Sequence, residues 1–484
     1  MDRAPAVGDG APTYSGKVRR FKEKIMNEVG GDEGRGRSFS PVSPGAVLAA
    51  LVLVGLVLAL PLMMGHRTSE TLTTTALLLV SGALLAVMVT FWQGAASRKL
   101  SMPSTGWWLF FWLMTLIVLL QVLPSRLLAE WLGPYPDALW QHPAFEPRQW
   151  SPHPAATLRG WAVFVALFAI AWVAGSLRTR QRNWLWLAIC AMALFQALYG
   201  LTSHAAGTEK ILGIWDRHNI RFVHGTFSNR NLFAGYLALT WPLVIAVWWL
   251  REVPLLERLP VELRIAGSII SGAIIGAALM ASASRLGATA GLAGMLCALL
   301  LWTSYRGHLK GGAIWPAWVA AFAAFLFATW YGLGPLTDRL ASSPVEDIRF
   351  EVYSLMLTEF PRQWWLAGVG LGGFEAVFKQ IQPDDLRNWW DYAHNDLLQW
   401  LLEMGLVGVI LLGMVLAATI KHASICLERI PLYAGLVALC LVGLGDFSWH
   451  IPGTQVVLAI YIGVVARPSK TRIRRRKGEP EIVQ

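Results

Sequence analysis

Long apolar runs separated by short polar breaks set the pattern of this chain. A helix rises about 1.5 Å per residue, so crossing a hydrocarbon layer of about 30 Å takes roughly 20 apolar residues. Such runs fall at about 45–64, 71–92, 107–123, 158–177, 184–203, 231–250, 265–283, 286–304, 313–331, 396–420, 431–447 and 451–466. The pattern predicts an all-α integral membrane protein with about twelve transmembrane helices. The third and the last two runs are short, and Gly405 interrupts the tenth. The longest polar-rich interruption, 332–393, predicts a large loop containing short helices that returns to the bilayer at His394. No internal repeat at a fixed period is evident.

Composition agrees: of 484 residues, 55% are hydrophobic and only 15% charged, more apolar surface than a soluble domain can hide. Residues 1–40 are rich in Gly, Pro and charge and predict a disordered basic tail. They do not read as a secretory signal, because the first apolar run begins late and is long enough to span. A polytopic membrane domain over 45–466 follows, and 467–484 forms a second basic tail.

Lysine and arginine stay on the cytoplasmic side, so their distribution sets orientation. With both termini cytoplasmic, 27 of the 41 Lys and Arg fall in 1–40, 93–106, 178–183, 251–264, 305–312, 421–430 and 467–484. That assignment leaves 124–157, 204–230, the turn 284–285 and 332–395 on the outer face. The net charge of +11 is therefore mainly topology. The run Arg472, Arg474, Arg475, Arg476, Lys477 reads as an anchor beside anionic headgroups, not a nucleic-acid site. None of the four cysteines (Cys190, Cys297, Cys426, Cys440) lies in an outer segment, which excludes a disulfide framework there.

Candidate chemistry gathers in the outer segments. His394 opens a string in which His394-Asn395 is followed after nine residues by Gly405 and then by Gly408. An imidazole titrates near neutral pH and is suited to take a proton from a hydroxyl; its bland reading is an interfacial side chain. Arg221, Arg285 and Arg349 are candidates for phosphate, which guanidinium binds through paired hydrogen bonds. Ordinary anchoring, or pairing of Arg349 with Glu346 or Glu351, is the alternative. In Gly225-Thr226-Phe227-Ser228-Asn229-Arg230-Asn231, Asn229 or Asn231 is placed to cap the helix that follows. Gly368-Val369-Gly370-Leu371-Gly372-Gly373 contains G-x-G-x-x-G, yet no βαβ unit surrounds it, so it reads as a tight turn before Phe374. No metal-binding motif and no P-loop is present, and no cofactor is expected.

Taken in order, these pieces resemble the O-antigen ligase/polymerase family of polytopic bacterial glycosyltransferases. The resemblance spans about 215–415: G-T-F-x-N-x-N before a helix, S-R-x-G at a helix turn, then a long outer loop. That loop carries an early Arg, a glycine turn ending in Phe374 and the closing His394-Asn395 string. Arg230 stands where many relatives carry Pro. The resemblance implies a metal-independent enzyme of GT-C type in the bacterial inner membrane, with its active face periplasmic. It implies a glycan donor on undecaprenyl diphosphate and a hydroxyl acceptor on lipid A-core or on another lipid-linked glycan. It further implies His394 as base, Arg221 and Arg349 as diphosphate ligands, and Arg285 as their assistant. Trp364, Trp365, Trp389 and Trp390 become candidates for stacking on sugar rings, or for interfacial anchoring. A transporter or flippase for polysaccharide precursors is the alternative, although nearly charge-free helix interiors and the lack of internal symmetry disfavour it.

Overall fold

Backbone amides in an apolar solvent must pair within their own segment, which makes each apolar run a helix. The computed structural model describes residues 44–65, 69–94, 105–124, 150–217, 221–250, 253–307, 345–360, 364–384, 386, 390–421 and 423–467. The tail 1–40, nearly all of 467–484 and the predicted span 313–331 lie outside the described residues.

The first five helices are α1 (Pro44–Leu62), α2 (Ser69–Gly94), α3 (Thr105–Val122), α4 (Pro154–Ser176) and α5 (Thr179–Ala205). A two-residue antiparallel pair, β1 (Lys210–Ile211) with β2 (Trp215–Asp216), leads toward α6 (Arg230–Ala246). Then come the single turn α7 (Pro254–Glu257), α8 (Val261–Ala281) and α9 (Arg285–Gly307). The polar interruption supplies the short helices α10 (Val345–Thr358), α11 (Trp364–Ala367) and α12 (Phe374–Ile381). Last are α13 (Asp396–Lys421), α14 (Ile430–Val442) and α15 (Pro452–Val465). Among the described residues nine helices are long and apolar enough to cross a membrane, with α14 and α15 shorter.

One apolar core joins α1, α2, α4, α5, α6, α8 and α15 through residues such as Leu53, Ile189, Leu237 and Ile460. A second core, with Trp150, Met356, Phe374, Phe378 and Trp390, seats α10 to α12 on the head of α13. Trp364 and Trp390 are therefore core side chains, which corrects their reading as platforms for sugar. Their rings are spent on packing; Trp389 lies outside the described residues.

The predicted run 431–447 also needs correction, since α14 stops at Val442. At 13 and 14 residues, α14 and α15 reach only about 20 Å each. The segment joining them, 443–451, carries only a 3-10 turn at Ser448–His450. Irregular backbone within apolar surroundings survives only where protein groups satisfy it. This segment is satisfied by side chains, and those side chains build the site described below.

Helices without water between them associate through close packing at small residues. Gly463 on α15 faces Gly175 and Ala171 on α4 so closely that an added Cβ would collide with the Ala171 carbonyl. Gly413, on α13, has nothing within 4 Å of such a Cβ. Gly463→Val is therefore expected to cost about 1–3 kcal/mol by forcing α4 and α15 apart. Gly413→Val changes little. Paired thermal unfolding in detergent reads the difference, and equal melting points for the two variants would refute this packing.

Candidate active site

The head of α13 is wound from both sides. Asn395 Oδ1 accepts the Leu398 N–H at 3.0 Å, the bond of a helix cap. Gln399 Oε1 accepts the Ala393 N–H at 3.0 Å. Between them His394 adopts φ of 51°, a left-handed conformation uncommon for a side chain of its size. Tyr353 on α10 donates its hydroxyl to the His394 carbonyl at 2.6 Å, which holds that residue in place. The imidazole stands edge-on to Trp390 and Phe447, with ring centroids 5.1 and 4.6 Å away. Its side chain remains 18% exposed.

Across from it runs 443–450. Three successive carbonyls there are bound from around His394: Asp396 N–H donates to Gly443 O at 2.7 Å, Asn395 Nδ2 to Leu444 O at 2.9 Å, and Arg349 Nη1 to Gly445 O at 2.9 Å. Asp446 comes next, 1% exposed, with Oδ1 3.7 Å from His394 Nδ1. That carboxylate also accepts the Phe447 N–H at 2.9 Å and a hydrogen bond from Asn231 at the start of α6. Burial pushes Asp446 up to about 6, against the charge of Arg349, which favours the ionised form. Burial likewise raises the Tyr353 hydroxyl, opposed by Arg349.

A second carboxylate–imidazole pair lies beside the first. Asp396, fully buried, accepts His450 Nδ1–H at 2.7 Å and the Trp449 N–H at 3.1 Å. Tyr392 stacks on Phe447 at 4.6 Å and tilts against His450 at 5.3 Å, so its ring spans the two pairs.

The arginines are distributed unevenly. Arg349 is tied to the 445–446 backbone and acts on Asp446, within the surroundings of His394. Arg285 begins α9 behind Ser284, whose Oγ accepts the Gly287 N–H at 3.3 Å; Gly287 presses on Ala234 of α6, and Leu286 reaches Gly445. The S-R-x-G string is thus a cap and a close crossing, with its Arg at the same end of the bundle. Arg221 is exposed, and its loop reaches α8 where Val223 N–H meets Ala281 O at 3.3 Å. That loop is held by Gln196 of α5, which accepts from Thr226 N–H at 2.9 Å and donates to Thr226 Oγ1 at 2.7 Å. Asn229 caps α6 through the Asn231 N–H at 2.8 Å.

The glycine turn is structural. Gly368, Gly370 and Gly372 all take positive φ, and the turn lies along the break in α13 where Gly405 has φ 67° and ψ −177°. Val369 and Gly370 N–H groups donate to Leu402 and Glu403 carbonyls at 3.0 Å each. Glu403, 1% exposed, accepts the Gly372 N–H at 2.8 Å and a backbone bond from Phe374 at the start of α12. A G-x-G-x-x-G turn followed by a helix does hold an anion here, but the anion is the chain's own carboxylate.

Residues 270–413 match the family described as O-Antigen ligase. The matched stretch is less than a third of the chain. No curated protein matches the chain. That stretch holds Arg285, Arg349 and His394, and its likeness supports glycosyl transfer of the O-antigen ligase/polymerase type. Asn231, Asp446 and His450, which complete its surroundings, lie outside the matched stretch. Among the described residues no three His, Cys, Asp or Glu side chains converge as a metal site.

Sequence reasoning missed Asp446, Asp396, His450 and Asn231 as groups around His394. Asp446 is a charge near the end of the apolar run 431–447, and that is the signal that could have found it. Its raised acidity yields a prediction. A carboxyl whose folded value lies near 6, above its ordinary 3.8, lends stability below the lower value and loses it as pH rises through the higher. Asp446→Asn is thus expected to stabilise the protein above pH 7, on the order of 3 kcal/mol, and to lose that advantage toward pH 4. Thermal unfolding across that pH range checks it; a gain independent of pH would refute the cause given.

Proposed function

We propose that this chain moves a glycan from an undecaprenyl-diphosphate donor to a hydroxyl acceptor on the periplasmic face of the bacterial inner membrane, both termini being cytoplasmic. The observation that carries the reading is the partly exposed His394 imidazole, held between two aromatic edges with the Asp446 carboxylate 3.7 Å away. His394 takes the proton of the acceptor hydroxyl as its oxygen attacks the anomeric carbon. The bond from that carbon to the diphosphate oxygen breaks, and its electron pair leaves with undecaprenyl diphosphate. Asp446 faces the imidazolium as it forms and stabilises it, while the fixed turn at His394 keeps the ring aimed.

Charge grows on the departing diphosphate, and Arg349, Arg285 and Arg221 are the groups assigned to it. Arg349 has the strongest support, because it lies within the surroundings of His394. A diphosphate leaves readily with guanidinium help, so neither nucleotide nor metal is required. The acceptor is lipid A-core for a ligase, or a second lipid-linked glycan for a polymerase.

Purified protein reconstituted with undecaprenyl-diphosphate glycan and each acceptor, read on a gel, tests the proposal. Wild type transfers the glycan, and His394→Ala lowers turnover about 100-fold or more. Arg349→Ala weakens donor binding more than Arg349→Lys does. One added glycan marks a ligase, and a growing ladder marks a polymerase. In cells, His394→Ala leaves the lipid-linked precursor on the periplasmic side. Precursor retained on the cytoplasmic leaflet would instead identify a flippase and overturn the proposal. Chelator leaves transfer intact; a loss that Mg²⁺ restores would refute the metal-free step.

A further inference from the structure

The polar groups near His394 divide into two sets. His394 pairs with Asp446, with Arg349 bound to the neighbouring Gly445 carbonyl, whereas His450 pairs with Asp396. Proposed function gives the second pair no part. Its carboxylate is fully buried, its contact is the shorter of the two at 2.7 Å, and it is two residues from His394.

We propose that Asp396 and His450 are a positioning pair, which fixes 443–450 on the head of α13 and thereby sets Asp446 against His394. This rests on the glycosyl-transfer reading for its catalytic consequence, though not for its geometry. Asp446 N–H closes the last helical bond of α14, to Val442 O at 3.0 Å, and its Oδ1 accepts the Phe447 N–H, so the orientation of its carboxylate depends on where the chain runs beyond it, from Phe447 to His450. Asp396 grips it at both ends: its N–H binds Gly443 O, and its carboxylate binds Trp449 N–H and His450 Nδ1–H. Asp446 lies between those two anchor points, four residues before His450. Its backbone is therefore a short bridge whose far support is the imidazole. Remove the His450 imidazole, and the Asp396 carboxylate loses its side-chain donor and keeps the Trp449 N–H, while Trp449 Nε1 still reaches the Leu439 carbonyl.

A shift of about 1 Å in a catalytic group can cost about 100-fold in rate. His450→Ala is thus expected to lower kcat about 10- to 100-fold with the donor KM nearly unchanged. His450→Asn, whose Nδ2–H reaches about where the imidazole Nδ1–H was, restores most of the turnover. A role in folding alone would not produce a kcat effect with intact KM that an amide rescues. Backbone amide exchange supplies a readout that needs no transfer activity: Phe447 and Trp449 exchange faster in His450→Ala and return toward wild type in His450→Asn. Wild-type turnover in His450→Ala, a raised KM with unchanged kcat, or failure of the Asn variant to rescue would each overturn the proposal. So would unchanged exchange at Phe447 and Trp449. Should the wild type transfer no glycan at all, the proposed function falls, while exchange still decides whether the pair holds the segment.

Discussion

An ionised carboxylate taken out of water costs several kcal/mol unless donors replace the lost solvation. Asp396, Glu403 and Asp446 are each almost wholly buried, all at one end of a bundle made of apolar helices. Each is met by backbone N–H and by side-chain donors or charge: Trp449 and His450 for Asp396, Gly372, Phe374 and Gln399 for Glu403, Phe447, Asn231 and Arg349 for Asp446. Gly372, Phe447 and Trp449 donate from turns between helices, whereas Gln399, Asn231 and Arg349 act from helices. The carboxylates are satisfied because the backbone around them is irregular, and that backbone is tolerated because the carboxylates and their neighbours satisfy it.

That reciprocity explains why the fold breaks where it does. Gly405 interrupts α13 about two and a half turns below its head, and the glycine turn 368–373 fills the break with its own N–H groups. The α14–α15 connection interrupts the bundle again, and residues flanking His394 bind its carbonyls. Both converge on α13, the glycine turn at Leu402 and Glu403 and the connection at Asn395 and Asp396. A histidine in a left-handed turn is sustained by that convergence, with Tyr353 bonded to its carbonyl and aromatic edges on its ring. The cost of such backbone is commonly met at functional positions.

Much of this was legible beforehand. The helices α1 to α6, α8 and α9 begin and end close to their apolar runs, because hydrocarbon leaves the backbone no alternative. The ordered strings around Asn229, Arg285, Arg349 and His394 pointed to one family, and the match over 270–413 agrees. The glycine turn was readable as a turn from its missing βαβ context, but Glu403 as its anion was not, since it sits thirty residues further along. Trp364 and Trp390 were misjudged because an aromatic in a polar stretch looks alike whether it faces water or a second core.

The sequence by itself determined that this chain is helical, membrane-borne and equipped with a histidine and arginines at loop–helix junctions. Those properties follow from periodicity, length and residue chemistry, which act locally along the chain. Only the tertiary structure decided that Asp446 faces His394, that His450 braces Asp396, and that Arg349 joins them while Arg221 stands exposed. These partners are about fifty or more residues apart and meet through packing. No local pattern encodes which buried charge finds which donor; the crossing of α13 with the α14–α15 segment does.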